Sequence, residues 1–126
     1  MSHTALRGIN IAGLGSASII ASLLILLNLA FNIVANVGFR LSAFSGSWRG
    51  FLTWQILGNV AGLITVLTLT ALLRYMPLGA AFALTTGLAI LGVQLIAAVW
   101  LFHEPMSGRQ WLGTLAIVAG IWLVRA

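Results

Sequence analysis

Three asparagines and an arginine recur at steps of four residues in one apolar segment: Asn28, Asn32, Asn36 and Arg40. On a helix this spacing places all four side chains along one inclined ridge. Amides donate and accept hydrogen bonds, and a guanidinium suits a bidentate phosphate contact. The pattern favours the polar wall of a substrate path that ends in a cation. The alternative is hydrogen bonding between helices, which contributes only about 0.6 kcal/mol per contact.

Arg40 has three possible roles at the end of a membrane helix. It can extend its long stem to the membrane surface. It can pair with Glu104, or it can hold the phosphate of a lipid substrate. We favour the phosphate, because the asparagine ridge leads directly to this residue.

Other polar side chains lie inside the later apolar segments. These candidates for the substrate path are Gln55, Asn59, Thr85 and Gln94. Gln55 and Asn59 are also four residues apart, and their amides are better suited to contacts between helices than to a ligand.

Residues for catalysis are nearly absent from the chain. Glu104 is the only acid, and it follows His103 in a predicted loop, where it can bond Arg109 or cap the next helix. There is no cysteine and no pair of carboxylates for general acid–base catalysis. The sequence therefore predicts a protein that is not an enzyme and has no cofactor and no metal.

The composition indicates how these residues are positioned. Hydrophobic residues make up 61% of the 126 residues and charged residues 6%, and the mean hydropathy is +1.13. A soluble domain is about 25% charged, so a soluble protein is excluded. The arginines are scattered singly, whereas a nucleic-acid-binding protein would cluster them. The chain is predicted to be an integral membrane protein that binds no nucleic acid.

Charges and turn residues divide the chain into four apolar stretches, each near the roughly 20 residues that a spanning helix needs. The fold prediction is an all-α bundle of four transmembrane helices in a single domain covering residues 1–126. The predicted spans are about residues 19–41, 51–73, 78–102 and 108–124. Ser107 and Gln110 have the spacing of a capping box before the last helix.

The arginines near the helix ends give no clear orientation. With four spans, Arg7, Arg74 and Arg125 share one side, and Arg40, Arg49 and Arg109 share the other. The positive-inside rule is therefore tied. Three explanations remain open. Copies of the chain can insert in both orientations, or a partner can set the orientation. Arg40 can also lie inside the membrane, where it does not count in the rule.

Small residues in the last helix predict a packing surface. Gly113, Ala116 and Gly120 lie where they would let another helix approach closely. Four helices enclose little volume, so a transport path is expected to need a second chain. We predict a homodimer, or a heterodimer with a similar small membrane protein.

The second half of the chain resembles a known family. The segment RYMPLGAAFA at 74–83, together with Gly113 and Gly120, resembles the small multidrug resistance proteins of the drug/metabolite transporter superfamily. The segment LFHEPMSGRQWLG at 101–113 is similar to the HEP-x-S-x-R-x-W-x-G stretch of the aminoarabinose–undecaprenyl-phosphate flippase subunits. The resemblance implies a four-helix chain that works as a dimer in the bacterial inner membrane.

Residues of the first and third helices distinguish the drug-exporter branch of that superfamily from the flippase branch. The drug exporters have a titratable glutamate in the first helix, where this chain has Asn32, and a tryptophan where it has Thr85. The flippase branch has a first-helix amide before a basic residue, which Asn36 and Arg40 match.

Three functions therefore remain as hypotheses. The lead is a flippase-type subunit for a polyprenyl-phosphate-linked sugar or a similar anionic lipid. The second is a small-molecule exporter of the multidrug type. The third is a non-transporting accessory subunit of a larger membrane complex.

Overall fold

The computed structural model describes residues 11–125, which are all-helical and contain no strand. Helix α1 is Ile11–Ala43, α2 is Trp48–Leu72, α3 is Leu78–Gly92 and α4 is Gly108–Arg125. A π-helical segment, Val93–Leu101, continues α3 without a break. Arg7, used in the orientation count, lies outside the described residues.

Three of these helices are long and apolar enough to cross a membrane: Gly15–Ala43, Trp48–Leu72 and Leu78–Leu101. The chain is thus an all-helical protein with the dimensions of a multi-pass membrane protein. A fourth helix is present where one was expected, but it does not reach the same hydropathy. Its 18 residues include Arg109, Gln110 and Arg125, which leave a shorter apolar stretch between them.

The helix ends follow local capping chemistry. Ser47 accepts a hydrogen bond from the backbone N–H of Gly50 at 3.0 Å, so α2 begins three residues before the predicted start. The predicted capping box of α4 is confirmed. The Ser107 N–H donates to Gln110 Oε1 at 2.8 Å, and the Gln110 N–H donates to Ser107 Oγ at 3.2 Å.

Helix α1 begins at least eight residues earlier than the predicted start at residue 19. The span was predicted to start after the glycine and serine residues of 13–18 because these are small and polar. Backbone groups in a membrane must be satisfied within the segment, and this favours helix despite weak propensities.

Helices α1 and α2 form the tightest pair. A Cβ atom added to Gly38 would lie 3.2 Å from Gly58 Cα and 3.3 Å from the Trp54 carbonyl oxygen. Ala35 and Ala61 are buried beside this crossing. Small side chains let two backbones approach closely, which replaces the hydrophobic driving force that a bilayer does not provide.

Helix α3 lies between this pair and α4. Its small residues Ala81, Ala83, Thr85 and Gly87 are buried. Among the described helices, the close backbone contacts of α4 are with α3 alone. The bundle therefore consists of the close α1–α2 pair, with α3 beside it and α4 packed on the far side of α3.

Candidate functional site

A cleft of about 480 Å³ opens between α1, α2 and the continuous α3–π helix. Seven polar side chains line it: Asn28, Asn32, Asn36, Thr65, Thr85, Thr86 and Gln94. The remaining lining residues are Val66, Leu69, Phe82, Ala89, Ile90 and Val93. Among the described lining residues there is no charged side chain. The site therefore offers neutral hydrogen-bonding groups on an apolar background.

The asparagine ridge lies along one wall of the cleft, and its three amides differ in burial. Asn28 is 3% exposed, and its Nδ2 donates to the Thr65 carbonyl oxygen at 2.9 Å and to Thr68 Oγ1 at 3.0 Å. Asn32 Nδ2 donates to Asn28 Oδ1 at 2.9 Å. Asn28 is thus held by α2 and holds Asn32 in turn.

Asn36 is exposed, and its Nδ2 donates to the backbone oxygen of Asn32 at 2.8 Å. The Oδ1 atoms of Asn32 and Asn36 accept no hydrogen bond from the described residues. These two oxygens, with the second N–H of each amide, are available to a ligand.

The opposite wall contributes hydroxyl and amide groups from α3 and the π-helical segment. The Thr85 hydroxyl donates to the Ala81 carbonyl oxygen at 2.9 Å, so this donor is already used within the helix. The Thr86 hydroxyl has no partner among the described residues. Gln94 Oε1 accepts from Thr114 Oγ1 at 2.7 Å, and this bond leaves the Gln94 Nε2 donors free.

Arg40 does not line the cleft and instead joins the end of α1 to the loop after the π-helical segment. Its Nε lies 3.1 Å from Glu104 Oε1, and both side chains are partly exposed. The guanidinium carbon lies 4.5 Å from the Phe44 ring centroid and 4.7 Å from that of Phe102. The structure therefore shows the pair with Glu104 that the sequence left as one alternative.

This pair is an electrostatic contact and not a well-aligned hydrogen bond. Nε is buried and has no hydrogen-bond partner among the described residues, although the carboxylate is close. The guanidinium lies over the rings of Phe44 and Phe102, and the carboxylate lies at its Nε edge. The four N–H donors on the Nη atoms are not used by described residues.

The loop motif around His103 positions this carboxylate. His103 has φ 52°, a left-handed backbone conformation that reverses the chain after the π-helical segment. The Glu104 N–H donates to the Ala98 carbonyl oxygen at 2.8 Å. Arg109 is exposed and does not pair with Glu104, and Ser107 with Gln110 caps α4 instead.

Gln55 and Asn59 lie outside the cleft. They line a separate shallow groove on α2, between Leu52 and Leu63. Asn59 Nδ2 donates to the Gln55 carbonyl oxygen at 2.7 Å. The sequence named these amides as substrate-path candidates that are better suited to contacts between helices, and the structure places them outside the cleft.

The predicted packing surface of α4 faces away from the rest of the chain. Gly113, Ala116 and Gly120 are exposed, and a Cβ atom at either glycine would meet nothing within 4 Å. The surface therefore does not pack against the described part of its own chain.

Several residues of the site were missed from the sequence. The Thr65 carbonyl oxygen and the Thr68 hydroxyl accept hydrogen bonds from the Asn28 amide, and the Thr114 hydroxyl donates to Gln94. Thr68 and Thr114 had a weak signal, because a threonine in an apolar helix can bond a neighbouring helix through its hydroxyl. The Thr65 contact had no signal in the sequence, because it uses the backbone.

The chain matches no protein-family model, and no solved structure matches it. The cleft presents neutral polar groups, and among the described residues one arginine–glutamate pair follows the asparagine ridge at the end of α1.

Proposed function

We propose that the chain is a flippase-type transporter subunit that moves a polyprenyl-phosphate-linked sugar, or a similar anionic lipid, across the bacterial inner membrane. The uncharged polar cleft carries this proposal. Sugar hydroxyls are neutral donors and acceptors, and they match the free amide and hydroxyl groups of Asn32, Asn36 and Thr86. The lipid tail would remain among exposed apolar side chains, so the cleft needs to hold only the headgroup.

In this proposal Arg40 contacts the phosphate. It follows Asn36 by four residues, which is about 6 Å along the helix axis. Glu104 lies at Nε, so the Nη donors remain for phosphate oxygens. A headgroup with its sugar beside Asn36 would therefore bring its phosphate towards the guanidinium.

The resemblance of residues 74–124 to the flippase subunits supports the same proposal. The cleft also has no acid among its described lining residues, so it offers no carboxylate for proton-coupled exchange of a cationic drug. This favours the flippase over the multidrug-type exporter.

The proposal includes four spans and a dimer. The 18 residues of α4 rise about 27 Å, close to the roughly 30 Å of bilayer hydrocarbon. With α4 as the fourth span, both termini lie on one side. Gly113, Ala116 and Gly120, which are open in the single chain, would face a similar small partner.

Labelling of single cysteines tests this topology, because the native chain contains none. We expect Ser45→Cys and Ser107→Cys to label from one side of a uniformly oriented sample, and Tyr75→Cys from the other. If Tyr75→Cys and Ser45→Cys label from the same side, the four-span arrangement is wrong.

One observation favours the accessory-subunit alternative for part of the ridge. Asn28 is buried, and its amide bonds α2 and Asn32, so this side chain holds α1 to α2. The transport proposal therefore depends on Asn32, Asn36 and Arg40.

Mass spectrometry of lipids that co-purify with the protein tests the proposed function. We expect the parent chain to retain a polyprenyl-phosphate lipid and Arg40→Gln to lose it. Arg40→Lys should restore it poorly, because lysine lacks the bidentate geometry. Arg49→Gln is the matched control, since Arg49 is an exposed arginine that follows α1 in the chain and is not paired. Retention of the lipid by both Arg40 variants would refute the phosphate contact.

A second pair of variants tests the cleft itself. Thr86→Val removes a free hydroxyl from the lining, and the loss of one hydrogen bond should weaken lipid retention about twofold to tenfold. Thr70→Val removes an exposed hydroxyl that bonds only the Val66 carbonyl oxygen, outside the cleft. Equal retention by the two variants would show that the headgroup does not enter the cleft.

A further inference from the structure

Two amide side chains lie close to the middle of α2, on its outer surface. The helix runs from Trp48 to Leu72, so Asn59 is within one residue of its midpoint. Asn59 is exposed and Gln55 is partly exposed. A helix of this length spans the hydrocarbon, which places Asn59 near the centre of the bilayer.

These amides keep unused hydrogen-bonding groups at that depth. The side chain of Gln55 has no partner among the described residues. Asn59 uses one N–H on the Gln55 carbonyl oxygen and leaves its Oδ1 and second N–H unpaired. Lipid tails offer neither donors nor acceptors, so an unpaired amide there costs free energy.

The surroundings of the two amides suit a neighbouring helix. They line a shallow groove with Leu52, Ile56, Val60 and Leu63, which we call the α2 groove. Gly62, one turn after Asn59, has open space where a Cβ atom would lie. A small residue beside polar side chains is the pattern that lets two membrane helices approach and exchange hydrogen bonds.

We propose that the α2 groove is an interface with a second copy of this chain, in which the amides of Gln55 and Asn59 pair with their counterparts. An amide both donates and accepts, so the surface is complementary to itself, as a two-fold interface requires. Since Asn59 lies at the midpoint of α2, it meets the partner's Asn59 whether the two chains insert parallel or antiparallel. The tied arginine count, which leaves both insertions open, is thus compatible with this interface.

The inference goes beyond the transport function and does not depend on it. The α4 surface discussed above is on a different helix, so separate variants test the two surfaces.

Disulfide cross-linking of the full chain in native membranes tests the proposal. Ile56 and Leu63 are 61% and 57% exposed and lie in the α2 groove. Leu57 is 50% exposed at nearly the same depth but points away from the groove, which makes Leu57→Cys the matched control. Differently tagged Ile56→Cys and Leu63→Cys chains are expressed alone and together.

A parallel pair would link Ile56→Cys to itself and Leu63→Cys to itself. An antiparallel pair would link the two variants to each other, because Ile56 and Leu63 lie at nearly equal distances on either side of the helix midpoint. Either result, at several times the yield of Leu57→Cys, supports the second copy. No enrichment over Leu57→Cys, or a product whose mass is not that of two chains, overturns it.

Asn59→Leu, added to the cross-linking chains, tests the amides themselves. This change makes the span more apolar, so insertion is retained. The dimer should weaken about threefold for each interhelical hydrogen bond lost. An unchanged cross-linking yield would show that the amides do not hold the two copies together.

Discussion

Replacement of Arg40 by glutamine should destabilise the fold through the loss of three contacts. These are the ion pair with Glu104 and the two ring contacts with Phe44 and Phe102. The two charged side chains are 34% and 39% exposed, so solvent screening limits the stabilisation by the ion pair to about 0.2–1 kcal/mol. Each ring contact contributes about 0.5–1 kcal/mol. We therefore expect Arg40→Gln to cost about 1–3 kcal/mol, and Glu104→Gln about 0.2–1 kcal/mol.

The free energy of unfolding in mixed micelles, followed by the fluorescence of the five tryptophans, measures these costs. In a double-mutant cycle the coupling between Arg40→Gln and Glu104→Gln should be about 0.2–1 kcal/mol. The matched control is Arg49→Gln, which should change stability by less than about 0.5 kcal/mol. If Arg40→Gln costs no more than this control, the described contacts do not stabilise the fold.

Three further predictions concern coupling, assembly and packing. Overexpression should give no resistance to quaternary ammonium compounds, because Asn32 cannot titrate; resistance with proton exchange in liposomes would favour the exporter. Gly120→Leu should reduce the oligomer mass in native mass spectrometry, since its surroundings are open in the single chain, and an unchanged mass would argue against the α4 surface. Gly38→Ala should destabilise the fold by about 1–3 kcal/mol, because its new methyl group would press on the Gly58 backbone. Gly15→Ala is the control, since a Cβ atom there meets open space. Equal unfolding free energies of the two variants would contradict the close crossing of α1 and α2.

The helical framework was predictable because its signals are local. Apolar runs bounded by arginines and prolines predicted α2 and α3 to within a few residues, and the Ser107–Gln110 pair marked the start of α4. The spacing of the asparagines predicted that they share a face, and all three line one cleft.

The directions in which these helices face were not predictable in the same way. The spans are apolar on every side, so periodicity does not show which stripe meets another helix. For this reason the sequence did not show whether Gln55 and Asn59 share a surface with the asparagine ridge, and the structure places them in a separate groove. The π-helical segment also has no local signal, because its sequence is as apolar as the α-helix before it.

The peripheral position of α4 has a consequence for biosynthesis. The described residues that line the cleft all precede residue 95, and α4 packs on α3 and is joined to the lining by the hydrogen bond from Thr114 to Gln94. Chains are made from the N-terminus, so the whole cleft is specified before α4 leaves the ribosome. Gly113, Ala116 and Gly120 lie on the outer surface of α4, away from the cleft, so substitutions there would leave the cleft lining unchanged.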